Sequence, residues 1–313
     1  MKKGVKMKKY FVLVFFILII FLAGCSKSPT TPPTATFKGG IEGLGVSFVN
    51  LAPPTEFSQS SLVKAKVLIK NKGETRVETG NARVKLFGVT LENFGLQNVY
   101  KSNLAPIEGK GELTADGGEQ EVELGQIKYN KQIINQESFT LLAKLCYPYQ
   151  TIAKTDVCLQ SLLTKESGGS VCDIAGEKIT SGSVSGAPIQ VTSITEQTRG
   201  EDQIRFDIKI ENKGKGKVYL AGSKCEDLDK DDLRFENKNK IKVKIESPLN
   251  VICGFRSGQQ GNEGIVVLDD KNVATLSCWK NVEDPVVDKL HLKLDYVYLE
   301  QTSKDIRILQ SRK

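Results

Sequence analysis

An all-β fold, two tandem β-sandwich domains of Ig-like class behind an amino-terminal leader, is what this 313-residue sequence predicts. Three observations predict it. Short alternating segments are punctuated by Gly, Asn, Pro and Asp, with no sustained amphipathic helical period. Two blocks of sequence recur in the same order. Six cysteines follow residue 25, the even count of a disulfide-bonded exported chain.

The first recurring block is VKAKVLIKNKG at 63–73 against IRFDIKIENKG at 204–214, an offset of 141. Val67 and Ile69 correspond to Ile208 and Ile210, a period-2 apolar face suited to a half-buried antiparallel strand. Each copy ends in Asn-Lys-Gly, at Asn71–Gly73 and Asn212–Gly214, where the glycine is expected to supply the positive φ of a tight turn. The second block, KLCYPY at 144–149 against KLDYVY at 293–298, keeps an offset of 149, as do Asp156 and Asp305. Two ordered blocks with offsets differing by eight describe one unit used twice, with a net eight-residue insertion in the second copy.

The expected organisation follows. Residues 1–24 are a signal peptide, 25–38 a tether, 39–163 the first sandwich, 164–171 a linker and 172–313 the second sandwich. Within the second block Cys146 falls on Asp295 and Cys158 on Arg307. If residues 143–160 and 292–309 are hairpins, each pair faces itself across the turn, as a disulfide in one copy and an ion pair in the other. That predicts a Cys146–Cys158 bridge. Of the remaining four, Cys172 with Cys225 and Cys253 with Cys278 is the favoured pairing, because 253 to 278 spans the glycine-rich turn RSGQQGNEG. The expected Ig pairing of cysteines around a buried Trp is absent, since the single Trp279 sits beside Cys278.

The formal charge of +7 belongs to the leader. Residues 1–24 hold five lysines and no acid, so the rest carries 39 basic against 37 acidic residues. A near-neutral chain lacks the basic stripe of nucleic-acid recognition. After the lysines comes YFVLVFFILIIFL at 10–22, then the small residues Ala23 and Gly24, the order of parts in a signal peptide. Leu22-Ala23-Gly24-Cys25 resembles the lipobox of secreted lipoproteins, which implies cleavage before Cys25 and lipidation of its sulfur. An uncut leader acting as a short anchor, or a pilin-like site at Lys3-Gly4, are the competing readings. Each of them leaves the rest facing outward. The Pro- and Thr-rich stretch after Cys25 favours extended geometry and spans roughly 40 Å.

Chemistry is sparse. His291 is the single histidine and alternates with Leu290, Leu292 and Leu294, which points it away from the apolar face. Nucleophilic triads and His-rich zinc sites would all need that residue. No catalytic residue is assigned. Ser-x-x-Lys occurs at Ser61–Lys64 and Ser277–Lys280, but in strand-like sequence, where positions three apart face opposite ways. Asp227, Asp229 and Asp231 have the spacing of the first three ligands of a calcium loop, yet Asp232 and Lys238 stand where an EF-hand needs Gly and Glu. A looser Ca²⁺ site there is the one cofactor alternative; a solvated loop balanced by Lys230, Arg234 and Lys238 is preferred. Tyr147, Tyr149, Tyr296 and Tyr298 continue the leucine face and are expected in the core.

Alternating strands ending in Asn-x-Gly, repeated behind a lipoprotein leader, resemble the cell-adhesion-related (CARDB-like) Ig-fold modules of bacterial and archaeal surface proteins. The resemblance implies display at the cell surface and a binding, adhesion or structural role without catalysis. The implied partners are the membrane, through the lipid anchor, and a protein or glycan of the envelope. Two alternatives stay open: an envelope or filament component that pairs through an edge strand, and an exported hydrolase using carboxylates alone.

Overall fold

The computed structural model describes residues 36–161, 172–246, 250–256 and 258–311. The leader, Cys25, the tether as far as residue 35 and the stretch 162–171, with the whole of the expected linker, lie outside them. Ala35–Lys313 forms one compact unit.

The first copy contributes β1 (Leu44–Phe48), β2 (Glu56–Ser58), β3 (Val63–Asn71), β4 (Arg83–Phe87), β5 (Lys101–Ser102), β6 (Glu119–Ile127) and β7 (Gln136–Leu159). The second contributes β8 (Ile189–Arg199), β9 (Gln203–Asn212), β10 (Lys217–Leu220), α1 (Asp231–Asn237), β11 (Lys240–Ile245), β12 (Ile252–Gly254), β13 (Gln260–Gly261), β14 (Glu263–Val267), β15 (Val273–Asn281) and β16 (Val286–Leu309). The fold is all-β, as expected. A three-stranded sheet runs β1-β3-β6 and a five-stranded one β13-β12-β15-β9-β8; a central eight-stranded one runs β14-β11-β16-β7-β4-β5, with β2 and β10 also paired to β16. One hydrophobic core takes residues from all three, including Val67 and Ile69, Ile208 and Ile210, and Leu145 and Leu294.

The copies are not separate beads, because their longest strands pair with each other. β7 and β16 are 24 residues each and run antiparallel in register from end to end. Pro148 pairs with Val297, and these two are also equivalent by the offset of 149. The relation between the copies is therefore an approximate twofold axis through that pair. Proline is tolerated at this point. Ile152 and Lys154, of the same parity, direct their N–H groups away from β16, and β4 stops pairing with β7 at Cys146. Pro148 thus costs no ladder bond.

Residues 143–160 and 292–309 are accordingly not hairpins. Cys146 and Cys158 lie on one continuous strand, 12 residues or about 40 Å apart, which no disulfide spans. The bridges are Cys146–Cys225, Cys158–Cys172 and Cys253–Cys278. Two expected pairings are corrected by this, and the third, Cys253–Cys278, is found. The last joins directly paired residues of β12 and β15.

Register also locates the insertion. Cys146 pairs with Arg83 and its counterpart Asp295 with Lys242, so β4 corresponds to β11 at an offset of 159 against 141 for the early strand. Eighteen extra residues therefore separate those strands in the second copy, in the stretch that carries Cys225, the acidic cluster and α1. Its cysteine reaches into the first copy and fastens to β7.

The recurring Asn-Lys-Gly has a different cause from the one expected. Neither Gly73 nor Gly214 is among the positive-φ residues. The Tyr149 hydroxyl donates to Asn71 Oδ1 at 2.9 Å, and the Tyr298 hydroxyl to Asn212 Oδ1 at 3.0 Å. Each Asn closes its turn by donating from Nδ2 to the carbonyl four residues on, Thr75 and Gly216. A Cβ on either glycine would lie 2.3 Å from the same tyrosine oxygen. Asn, Gly and Tyr form one repeated lock, and the two sequence blocks are its two halves. The four tyrosines meet across the axis, with Tyr147 and Tyr298 rings 6.0 Å apart and Tyr149 and Tyr296 rings 6.4 Å apart. They are core, as expected.

Candidate functional site

The acidic cluster folds into internal ion pairs. Asp229 accepts from Lys85 at 2.6 Å, from Lys144, and from the Tyr100 hydroxyl at 3.3 Å. Asp227 pairs with Lys230 at 3.1 Å and Asp231 with Arg234. Burial works to raise the Asp229 pKa, but the hydrogen bonds and charges of Lys144 and Lys85 outweigh it and hold the carboxyl below its ordinary value. The structure brings Asp229 to two lysines of the first copy instead of to Asp227 and Asp231. Among the described residues no cluster of three or more His, Cys, Asp or Glu is placed to hold a metal ion. The cluster secures the insertion against β4 and β7, beside the Cys146–Cys225 bridge.

His291 lies on β16 opposite Lys154. Burial first, then the charges of Lys154 and Lys289, lower its pKa. Ser277 sits on β15 and donates to Asp207 at 2.6 Å, away from Lys280 in role.

A buried carboxylate, Glu196, and a half-buried one, Glu300, were not foreseen. Glu196 has a fully buried side chain, accepts from the Cys158 N–H at 2.8 Å and faces Lys178 at 3.2 Å. Burial pushes it up to about 7, against the opposing bond from Cys158 and the charge of Lys178. Burial, then the charge of Glu42, also pushes Glu300 up to about 7. A carboxyl raised this way binds more protons folded than unfolded between about 4.5 and 7, so stability falls as pH rises through that window. His291, lowered, acts with the opposite sign below its ordinary value of 6.5. Replacing Glu196 with Gln is expected to flatten the loss, worth about 2–3 kcal/mol for this residue alone, in urea midpoints between pH 5 and pH 8. An unchanged slope would contradict the assignment.

The central sheet ends at β14. Among the described residues β14 (EGIVV) pairs with β11 on one side only. Leu268 N donates to Asn239 O at 2.8 Å and Ile245 N to Asn262 O at 2.7 Å, which fixes the even residues of β14 toward β11. Glu263, Ile265 and Val267 therefore turn their backbone N–H and C=O outward. Along the core side runs a cleft of about 470 Å³ lined by Phe255, Arg256, Val266, Asp269, Ala274 and Leu276. A shallower cleft of about 390 Å³ lies on the other side, with Leu220, Lys242, Glu263 and Ile265 in its wall. Lys242 holds Glu263 at 2.7 Å, and that bond lowers the Glu263 pKa. Ile265 is 39% exposed. The sequence marks this strand only by its β-branched run after a glycine-rich turn.

The other sheet ends are occupied or blunted. β5 and β13 have two residues each. β6 presents Glu119, Glu121 and Glu123, with a register break opposite Ala65/Lys66. β8 is flanked by Glu177 and Lys178, the latter donating to Ile194 O. On β1, both polar groups of Leu44 engage the Tyr147 hydroxyl. Among the described residues β14 has none of these protections, and it carries neither Lys nor Pro.

Three disulfides place the chain in an oxidising, extracytoplasmic compartment. Among the described residues no helix is long and apolar enough to cross a membrane. No family model matches the sequence, and no curated protein matches it. Among solved structures the chain is similar to the secreted serine protease VesC from Vibrio cholerae, at 11% identity and a TM-score of 0.21 over 83% of this chain. It spans 50% of that protein's length. It is also similar to the CupB6 tip adhesin from Pseudomonas aeruginosa, at 9% identity and a TM-score of 0.18, over 86% of this chain and 98% of the adhesin. Likeness at this level carries no functional argument.

Proposed function

We propose that this is a non-catalytic extracytoplasmic module, held at the membrane by lipid on Cys25, that binds a protein partner by strand addition at β14. The observation that carries the proposal is the unprotected edge at Glu263–Val267 with a cleft on each face. Main-chain bonds along such an edge supply affinity, while the flanking clefts select alternate side chains. The resemblance to CARDB-like surface modules and the lipobox-like Leu22–Cys25 support display outside the cell. The described clefts along β14 each contain one carboxylate, Asp269 or Glu263, and so do not favour the carboxylate hydrolase, which needs a pair.

A photo-crosslinking residue at position 265 of the full chain, irradiated on intact cells, is expected to give covalent protein adducts. The same residue at Ser303, exposed elsewhere on β16, is expected to give few. Adducts at 303 and none at 265 would contradict the proposal.

A further inference from the structure

We propose that the strand added at β14 comes from a second copy of this chain, which joins two central sheets edge to edge about a twofold axis through Ile265; this rests on β14 being the pairing element. Three features of the edge favour its own copy. The first is hydrogen-bond phase. Glu263, Ile265 and Val267 all face outward, so an antiparallel pairing of Ile265 with its mate also sets Glu263 against Val267 in the same phase. Every outward N–H and C=O of both strands is then satisfied.

The second is charge. Glu263 is the sole ionised side chain on β14, and in this register it lies opposite Val267. The two copies of Glu263 stand about four residues apart along the strands, roughly 13 Å, so no like charges oppose each other. Each Glu263 keeps its own Lys242.

The third is shape. On the core face Val266 of one copy meets Gly264 of the other, so no two β-branched side chains collide there. Gly264 has no room for a side chain of its own, because a Cβ would lie 2.4 Å from the Phe255 ring. On the outer face Ile265, 39% exposed in the monomer, packs on its symmetry mate. The interface is isologous and closes on itself, so it yields dimers and not fibres.

The test is cysteine crosslinking in the full chain. Ile265→Cys places two thiols at a directly paired position, with Cα atoms about 5.5 Å apart, inside the range a disulfide spans. It is expected to give a dimer band on non-reducing gels that reduction abolishes. Glu263→Cys alone is expected to give at least tenfold less, whereas Glu263→Cys co-expressed with Val267→Cys restores the band. Unchanged Trp279 emission and urea midpoint confirm that each variant is folded. Absence of the Ile265→Cys dimer in folded protein, or equal dimer from Glu263→Cys alone, would overturn the self-pairing. If heterologous photo-adducts at position 265 persist in that case, strand addition stands and only its occupant changes. If neither dimer nor adduct forms, both readings fail.

Discussion

Replacing Cys146 and Cys225 together with Ala is expected to cost about 4 kcal/mol, the largest loss for any of the three bridges. The bond closes a loop of 79 residues, against 14 for Cys158–Cys172 and 25 for Cys253–Cys278. The entropy removed from the unfolded chain rises with the logarithm of loop length, giving about 4.5 kcal/mol for the longest and about 3 kcal/mol for the shortest. The geometry adds a local consequence. Cys225 sits in the 18-residue insertion, whose other ties to the first copy include Asp229 with Lys85, Lys144 and Tyr100, Glu226 with Arg83, and the Tyr100 hydroxyl donating to the Cys225 carbonyl. Arg83 and Glu226 are exposed, and exposed pairs contribute roughly 0–1 kcal/mol. Losing the bridge should therefore loosen the segment as well as lower the urea midpoint. Faster amide exchange in 221–239, with β9 and β15 unaffected, is the accompanying sign. A midpoint shift smaller than that of the Cys158/Cys172 double variant would contradict the account.

Gly73→Ala is expected to destabilise by about 3 kcal/mol, with Gly214→Ala close behind, through overpacking. At Gly73 the new Cβ meets the Tyr149 oxygen at 2.3 Å and the carbonyl oxygens of Gly186 and Glu42 at 2.4 and 2.5 Å. Backbone atoms on two sides leave it nowhere to relax. At Gly214 the neighbours are the Tyr298 oxygen at 2.3 Å and Pro188 Cβ at 2.7 Å, both side-chain atoms, so the strain is somewhat smaller. Gly111→Ala is the control, with its nearest neighbour at 3.8 Å, and should change little. Equal effects at 73 and 111 in thermal unfolding would show that the Asn-Gly-Tyr lock does not close.

The strands were readable because apolar alternation is a local property. Val67, Ile69, Ile208, Ile210 and the leucine and tyrosine stripes all lie on the faces their spacing implies. The repeat was readable as well, since duplicated contacts leave duplicated residues. What the sequence left open was pairing. A period-2 pattern over residues 136–159 is the same whether the segment folds back on itself or runs straight beside its counterpart. The straight arrangement needs a partner 149 residues away, and no local signal records that. Cys146–Cys158 failed for this reason, and Cys172–Cys225 failed with it. Cys253–Cys278 was legible because the glycine-rich RSGQQGNEG lies between strand-like segments; β12 and β15 do pair directly, although β13 and β14 come between them in sequence.

The acidic cluster shows a second limit. Asp-x-Asp-x-Asp spacing states which carboxylates are near each other along the chain, but their cations come from β4 and β7, more than 80 residues earlier. The β14 edge was concealed for the opposite reason. EGIVV looks like any interior strand, and its exposure follows from where the central sheet ends.

Disulfide mapping by non-reducing digestion and mass spectrometry tests the central claim most directly. If two copies of one unit share a single sheet through β7 and β16, peptides containing Cys146 and Cys225 will be recovered joined, with Cys158 on Cys172. Recovery of Cys146 joined to Cys158 would mean that residues 143–160 fold back on themselves, and the shared sheet could not exist.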